Sequence, residues 1–490
     1  MKNISKGNHI RLQKSYILAF MLACFCSAML PAMSVSAEEL NAHIVFSGGG
    51  DSKGLQDGSY STARSFGKGD TVTVSAKDGS SVSGIYILWD SPVKPWTLTT
   101  DNGDISCGEH GFLHEYIALE RPTASAVITV PEDGMRISDI RLFGEGELPE
   151  DVQIWNSPVE KADIMLVAAH ADDEILFLGG IIPTYAVVRE AQLQVVYMSE
   201  FWSTTGIREH EKLDGLWAAG LTNYPVCGNF KDVYSDNIET AKKQYSLDDM
   251  TEYLVGEIRR CKPLVIVTHD ENGEYGHGFH MLTSKAVTDA VEAAADETVY
   301  EESAAVYGVW DTPKTYLHLY GENKIRLNLR EPIGAMGGRT ALEIAADAYK
   351  QHVSQQWCWF YVSDDYKYSC ADFGLYRTRV GEDSGNDLLE NLKTYRVQEE
   401  EAQAAVLASQ KLIEEKTGHI REHFLSLRES AAAGGGLPGL GKNAFGAGAS
   451  PQGLGFESIG TGEAVAIVIA ICAAIVSVSF ILARKLVKKF

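Results

Sequence analysis

A P-loop is missing from this sequence. Nucleotide chemistry of the P-loop kind therefore has no motif to stand on. Internal repeats are absent too, so a solenoid or propeller is excluded. Basic residues are in short supply, 43 Lys and Arg against 66 Asp and Glu, giving a net charge of −23. Binding of nucleic acid needs basic patches, and the balance argues against it. The acids are spread along the chain rather than gathered in a tail, as on an ordinary solvated surface. Cysteine is scarce, 8 in 490 residues, and no CxxC spacing occurs, which speaks against a cysteine-ligated zinc site. Outside the two terminal apolar runs lie Cys107, Cys227, Cys261, Cys358 and Cys370, an odd set that cannot pair fully within one chain. Cys358 and Cys370 stay open as a bridge.

Long hydrophobic runs occur at the two ends. Residues 1–37 read as a secretory signal: Lys2, Lys6, Arg11 and Lys14 precede an apolar stretch, and Val35-Ser36-Ala37 offers a cleavage site. Ala464 to Ala483 is an uncharged apolar run long enough for one bilayer crossing, so residues 463–483 are expected to form a transmembrane helix. The basic tail 484–490 follows and should be cytoplasmic. Residues between the two runs are then expected outside the cytoplasm, on a single-pass membrane protein.

Between the ends, composition changes several times. Residues 38–150 carry short alternating runs, among them Thr71 to Ser75, Gly84 to Trp89, Ala126 to Val130 and Ile137 to Phe143, punctuated by Gly, Asp, Asn and Pro. This is the pattern of a β-sandwich. Residues 151–385 alternate strand-like and helical stretches, as in an α/β domain with a Rossmann-like, mostly parallel sheet. Strands are expected at Ile164 to His170, Leu193 to Ser199 and Leu264 to Thr268. Helices are expected over Arg208 to Leu221, Asp248 to Arg260 and Met281 to Ala295. Residues 386–430 keep a three-four apolar spacing and read as a helical stalk, with Gly418 as an interruption. Residues 431–462, rich in Gly, Ala and Ser, read as a flexible linker.

Chemistry concentrates where the first α/β strand ends, at His170-Ala-Asp172-Asp173-Glu174. In open α/β sheets ligands bind at the carboxyl ends of strands. One imidazole and three carboxylates crowded there need a cation, and His with Asp suits zinc. His170 and Asp173, three apart, can face one ion. Asp172 is left beside it, free to take a proton from a water that the metal polarises. A third ligand is best sought in Gly276-His277-Gly-Phe-His280, after the strand ending at Thr268. One of its histidines can sit on the metal and the other can donate to an oxyanion. Two imidazoles and a carboxylate also suit iron(II). Arg208, just after the second strand, is a candidate for holding a substrate hydroxyl or phosphate.

His170-Ala-Asp-Asp-Glu174 resembles the His-Pro-Asp-Asp-Glu signature of the PIG-L/LmbE zinc deacetylases. Gly273-Glu-Tyr-Gly-His-Gly-Phe-His280, Gly206-Ile-Arg-Glu-His-Glu211 ahead of Trp217-Ala-Ala-Gly-Leu221, and Ala348-Tyr-Lys-Gln-His-Val-Ser-Gln355 resemble that family's other motifs, in the same order. The resemblance spans roughly residues 160–385. It implies that His170, Asp173 and His280 bind zinc, that Asp172 is the general base, and that His277 stabilises the oxyanion. The implied reaction removes acetate from an N-acetylated amino sugar. Ala171 replaces the usual proline. Gly278 and Phe279 replace a proline and a polar residue, often Asp, that can orient the oxyanion histidine; Glu271 or Glu274 is then the expected partner of His277. His210, His269 and His318 are read as structural or surface histidines, and His352 and Ser354 line the pocket by family analogy alone. In residues 38–150 the pattern of Trp89, Trp96, His114-Glu-Tyr-Ile117 and Ile140 to Gly146 resembles galactose-binding or discoidin-type jelly rolls, which implies glycan attachment. Two other functions compete with the deacetylase. One is a glycan-binding surface protein with a degenerate metal site; the other is a metal-dependent amidase acting on a larger amide.

Overall fold

The computed structural model describes residues 36–199 and 206–432. The expected transmembrane helix at 463–483, the tail at 484–490, and nearly all of the signal segment and the Gly/Ala linker lie outside the described residues. Among the described residues, no helix is long and apolar enough to cross a membrane.

Residues 39–143 form two five-stranded antiparallel sheets. Alternation builds them: in Thr71–Ala76 the buried side chains are Val72, Val74 and Ala76, every second residue. The strand expected from Gly84 begins earlier and runs Val82–Trp89. Trp89 and Trp96 are interior, and both indole N–H groups donate to Glu115 Oε2, at 2.8 and 3.1 Å. These tryptophans pack the sandwich rather than facing solvent.

The second layer system is a seven-stranded sheet. Its order is Val226–Phe230, Leu193–Ser199, Ile164–Ala168, Val265–Thr268, Lys314–His318, Asp372–Thr378, Lys324–Arg326. The first five strands of that order run parallel, Asp372–Thr378 runs antiparallel to them, and Lys324–Arg326 pairs antiparallel with Asp372–Thr378. Every residue of Ile164–Ala168, Leu193–Ser199 and Val265–Thr268 is buried, as expected of parallel strands covered on both faces. Helix Leu247–Cys261 is capped by the Ser246 hydroxyl and ends at Lys262 in the left-handed region, φ 46, ahead of Pro263. With helix Gly278–Ala293 it packs Leu254, Ile258, Phe279, Leu282 and Ala286 against Met165, Val167 and Ile266.

Connectivity positions the site. The strand Ile164–Ala168 lies between its successor Leu193–Ser199 on one side and Val265–Thr268 on the other. The chain reverses its direction of sheet growth there, and a crevice opens at the carboxyl ends of the two central strands. One open reading closes here and one expectation needs correcting. The five cysteines among the described residues are all free thiols, so Cys358 and Cys370 form no bridge. The stalk is one continuous helix, Tyr395–Ala432, and Gly418 does not break it. A helical glycine costs only about 1 kcal/mol, less than a break in the hydrogen-bond ladder.

Candidate functional site

Strand Ile164–Ala168 delivers His170, and Asp173 opens the short helix Asp173–Leu176. From the other central strand, helix Gly278–Ala293 carries His280 in its first turn. His170 Nδ1 lies 3.0 Å from Asp173 Oδ2. His280 Nε2 lies 3.2 Å from His170 Nδ1 and 3.3 Å from Asp173 Oδ2. Three donor atoms so spaced share a point about 2 Å from each, the length of a bond from zinc to imidazole or carboxylate. The predicted triad therefore converges.

Charge supports the same conclusion. Burial by itself would raise the Asp173 carboxyl, but the His280 and His170 rings hold it well below the usual carboxylate range. His280 is driven the other way: burial opposes its charge, yet Asp173 and Glu274 lift it to about 10. These acids call for a positive charge at one buried spot, and a divalent cation meets that demand. His280 Nδ1 sits 2.7 Å from Glu274 Oε2 and donates there, leaving the Nε2 lone pair turned toward His170 and Asp173. The residues fit a metal.

His269 and His277 also lie close enough to join such a cluster. Hydrogen bonding removes both. His269 Nε2 accepts the Ala169 N–H at 2.9 Å and its Nδ1 donates to Glu274 Oε2 at 2.8 Å, so no lone pair remains. His277 Nδ1 accepts the Phe279 N–H at 3.1 Å. The ring proton then sits on Nε2, and burial with the facing His170 and His280 holds the ring neutral by pushing its pKa down to about 2. A neutral imidazole with a free Nε2–H is a donor for a developing oxyanion.

Asp172 is buried, and its backbone stands at φ 121, where a residue with a side chain is strained. Its N–H donates to Glu174 Oε2 at 2.9 Å. Burial pushes its carboxyl up to about 7 in spite of Arg208, whose Nη2 is 3.6 Å away. A carboxyl titrating there can both take and return a proton near neutrality. Arg208 also donates to the Ala171 carbonyl at 2.9 Å and pairs with Asp232. It is thus committed to bracing the loop that holds the triad.

Several expectations are revised by these contacts. Glu274 does not orient His277: it accepts from His269, His280 and, at 2.6 Å, His318. Glu271 is exposed. His277 is instead flanked by the rings of Tyr234 and Tyr275, with centroids at 5.1 and 5.5 Å. His269 and His318 are structural, as read: both are buried and hydrogen-bonded to Glu274. His210 faces the β-sandwich, with Nδ1 2.8 Å from His114 Nε2. His352 Nε2 lies 3.5 Å from Glu174 Oε1, and Ser354 donates to Glu211 from both N–H and hydroxyl, at 2.8 and 2.6 Å. These two brace the acids of the site's outer wall. Asp232, 3.7 Å from His170 Nε2, was not anticipated, although it follows the strand Val226–Phe230 and so lies at the same sheet end. The departure at Gly278 has a steric cause: a Cβ there would come 2.0 Å from the Asn237 carbonyl oxygen.

The chain is similar to several known proteins. The family model for GlcNAc-PI de-N-acetylase, PIG-L, matches residues 165–291. The chain is 26% identical over 227 residues to 1D-myo-inositol 2-acetamido-2-deoxy-alpha-D-glucopyranoside deacetylase 1 of Catenulispora acidiphila, covering 39% of this chain and 67% of the relative. To the corresponding deacetylase of Mycolicibacterium smegmatis it is 30% identical over 182 residues, covering 32% and 59%. Among solved structures, N,N'-diacetylchitobiose deacetylase from Pyrococcus horikoshii aligns with 40% of this chain and 72% of its own, at 17% identity and TM-score 0.32. A family 32 carbohydrate-binding module from Clostridium perfringens aligns with 21% of this chain and 94% of its own, at 17% identity and TM-score 0.18.

Proposed function

We propose that this chain, whose residues 165–291 match the PIG-L family model, is a deacetylase that hydrolyses the acetamido group of an N-acetylglucosamine-type sugar, with zinc held by His170, Asp173 and His280. The observation that carries this reading is the meeting of those three donor atoms at 3.0, 3.2 and 3.3 Å, with Asp172 and His277 beside them. When bound, a divalent cation there supplies Lewis acidity toward the acetyl carbonyl and the attacking water. Asp172 takes the proton of that water as its oxygen attacks the carbonyl carbon. His277 Nε2–H donates to the oxyanion that forms on the former carbonyl oxygen. As the C–N bond breaks, Asp172 passes its proton to the leaving nitrogen, giving acetate and a free amine. Arg208 keeps Asp172 and Asp232 in place. Iron(II) satisfies the same ligand set and is the alternative metal.

The location proposed is extracytoplasmic. It rests on the signal-like residues 1–37 and the apolar run followed by the basic tail 484–490. Glycan binding by a degenerate centre is the weaker reading, because no ligand of the triad is replaced. The test is acetate release by the full-length protein from N-acetylglucosamine and its glycosides, with and without chelator. Turnover should vanish with the metal and return when zinc is restored. Asp172→Asn should lose turnover while keeping metal. Chelator-resistant acetate release, or none from any N-acetylated sugar, contradicts the reading.

A further inference from the structure

We propose that residues 357–361 form a stacking platform for a glycan chain, so that the substrate is an oligosaccharide or polysaccharide engaged over several rings rather than a lone N-acetylated sugar. The inference deepens the deacetylase reading and rests on it for the identity of the reacting ring. In the segment Trp357-Cys-Trp-Phe-Tyr361, alternate side chains stand in water: Trp357 is 83% exposed, Trp359 61% and Tyr361 52%. Such a concentration of large rings is uncommon on a monomer surface and marks an interaction site.

These rings are continuous with the reacting centre. Trp359 packs on Phe360 at 4.2 Å, Phe360 on Tyr275 at 4.6 Å, and Tyr275 meets His277 at 5.5 Å. The series therefore runs from the oxyanion donor to open solvent in three ring-to-ring steps. Lys367 Nζ, 5.5 Å over the Trp359 ring, helps to fix the outermost step. On the other flank of His277, Tyr234 is 67% exposed. Flat apolar faces with polar edges match the alternation of C–H faces and hydroxyl rims on pyranose rings. Charge favours a neutral glycan over an anionic lipid surface, because the chain as a whole carries −23.

The test compares full-length protein with a Trp357→Ala/Trp359→Ala variant; both side chains are exposed, and neither belongs to the metal centre. Ligands are N-acetylglucosamine and its β-1,4-linked hexamer. Binding is read by calorimetry and catalysis by acetate release. The hexamer should bind the wild type more tightly than the monomer does. The variant should lose about tenfold in hexamer affinity and kcat/KM, with monomer values unchanged. Equal affinity for monomer and hexamer, or equal losses on both, overturns the proposal. So does a variant that binds the hexamer normally but no longer binds phosphatidylserine vesicles. If the binding difference holds while no ligand yields acetate, the platform stands and the deacetylase reading fails.

Discussion

Asp172 holds φ 121 between two residues whose donor atoms converge on one point, so its strain comes with placement. Its neighbours divide the labour. His277 presents a neutral Nε2–H because its Nδ1 is occupied by a backbone N–H. His277→Ala should lower kcat about 10²- to 10³-fold, with metal content and KM little changed, as for loss of one oxyanion donor; steady-state kinetics with metal analysis checks it. Glu274 receives three imidazoles and is fully buried behind them. Glu274→Gln should weaken metal affinity about 10- to 100-fold while leaving kcat of the metal-saturated protein nearly intact; competition with a chelating dye reads this directly. The proposed metal ligands were legible because they repeat at short spacing where strands end. Glu274 was legible only as a residue near His277, and nearness in sequence suggested the wrong partner. The rings it binds come from positions 269, 280 and 318, which only the sheet brings together.

Among the elements, helix Gly206–Ala218 does the most connecting. Arg208 braces the loop at Ala171, His210 meets the β-sandwich, and Glu211 holds Ser354. Gly215 lets His352 lie against the helix: a Cβ there would stand 2.6 Å from His352 Nε2. Gly215→Ala should therefore cost about 1–3 kcal/mol through overpacking, seen as a lowered melting temperature. An unchanged melting temperature would mean that His352 yields freely. Periodicity placed this helix and the three central strands to within a few residues. It put the start of the helix after the histidine pair at Met281, whereas that helix runs Gly278–Ala293, because Gly and Phe after a histidine give no familiar start signal. The His277 side chain supplies the cap, so the residue proposed as oxyanion donor also starts the element.

At the scale of the molecule, the β-sandwich and the catalytic sheet share a buried polar seam. His114 and His210 face one another at 2.8 Å, the Tyr60 ring stacks on His210 with centroids 4.3 Å apart, and Tyr60 donates to Asp214 at 2.7 Å. Nothing in the order of residues joins position 60 to 214 or 114 to 210, so this seam was invisible in the sequence. Burial lowers His210 from 6.5 to about 4 and holds His114 well below its ordinary value. A folded-state pKa depressed in this way gives stability that is complete above pH 6.5 and lost as pH falls from there toward 4. Asp214, pushed up by burial to about 6, slopes oppositely between 3.8 and 6, so the histidine effect is read as a difference between variants. His210→Gln should flatten the loss between pH 6.5 and 4 relative to wild type in denaturant titrations.

The seam, the connecting helix and the strained acid all serve one arrangement of donor atoms, and metal content tests that arrangement most directly. Zinc per chain, measured on full-length protein after equilibrium dialysis, should be stoichiometric in the wild type and in Asp172→Asn. It should fall to background in His170→Ala, Asp173→Ala and His280→Ala. Stoichiometric metal retained in all three ligand variants would contradict the account.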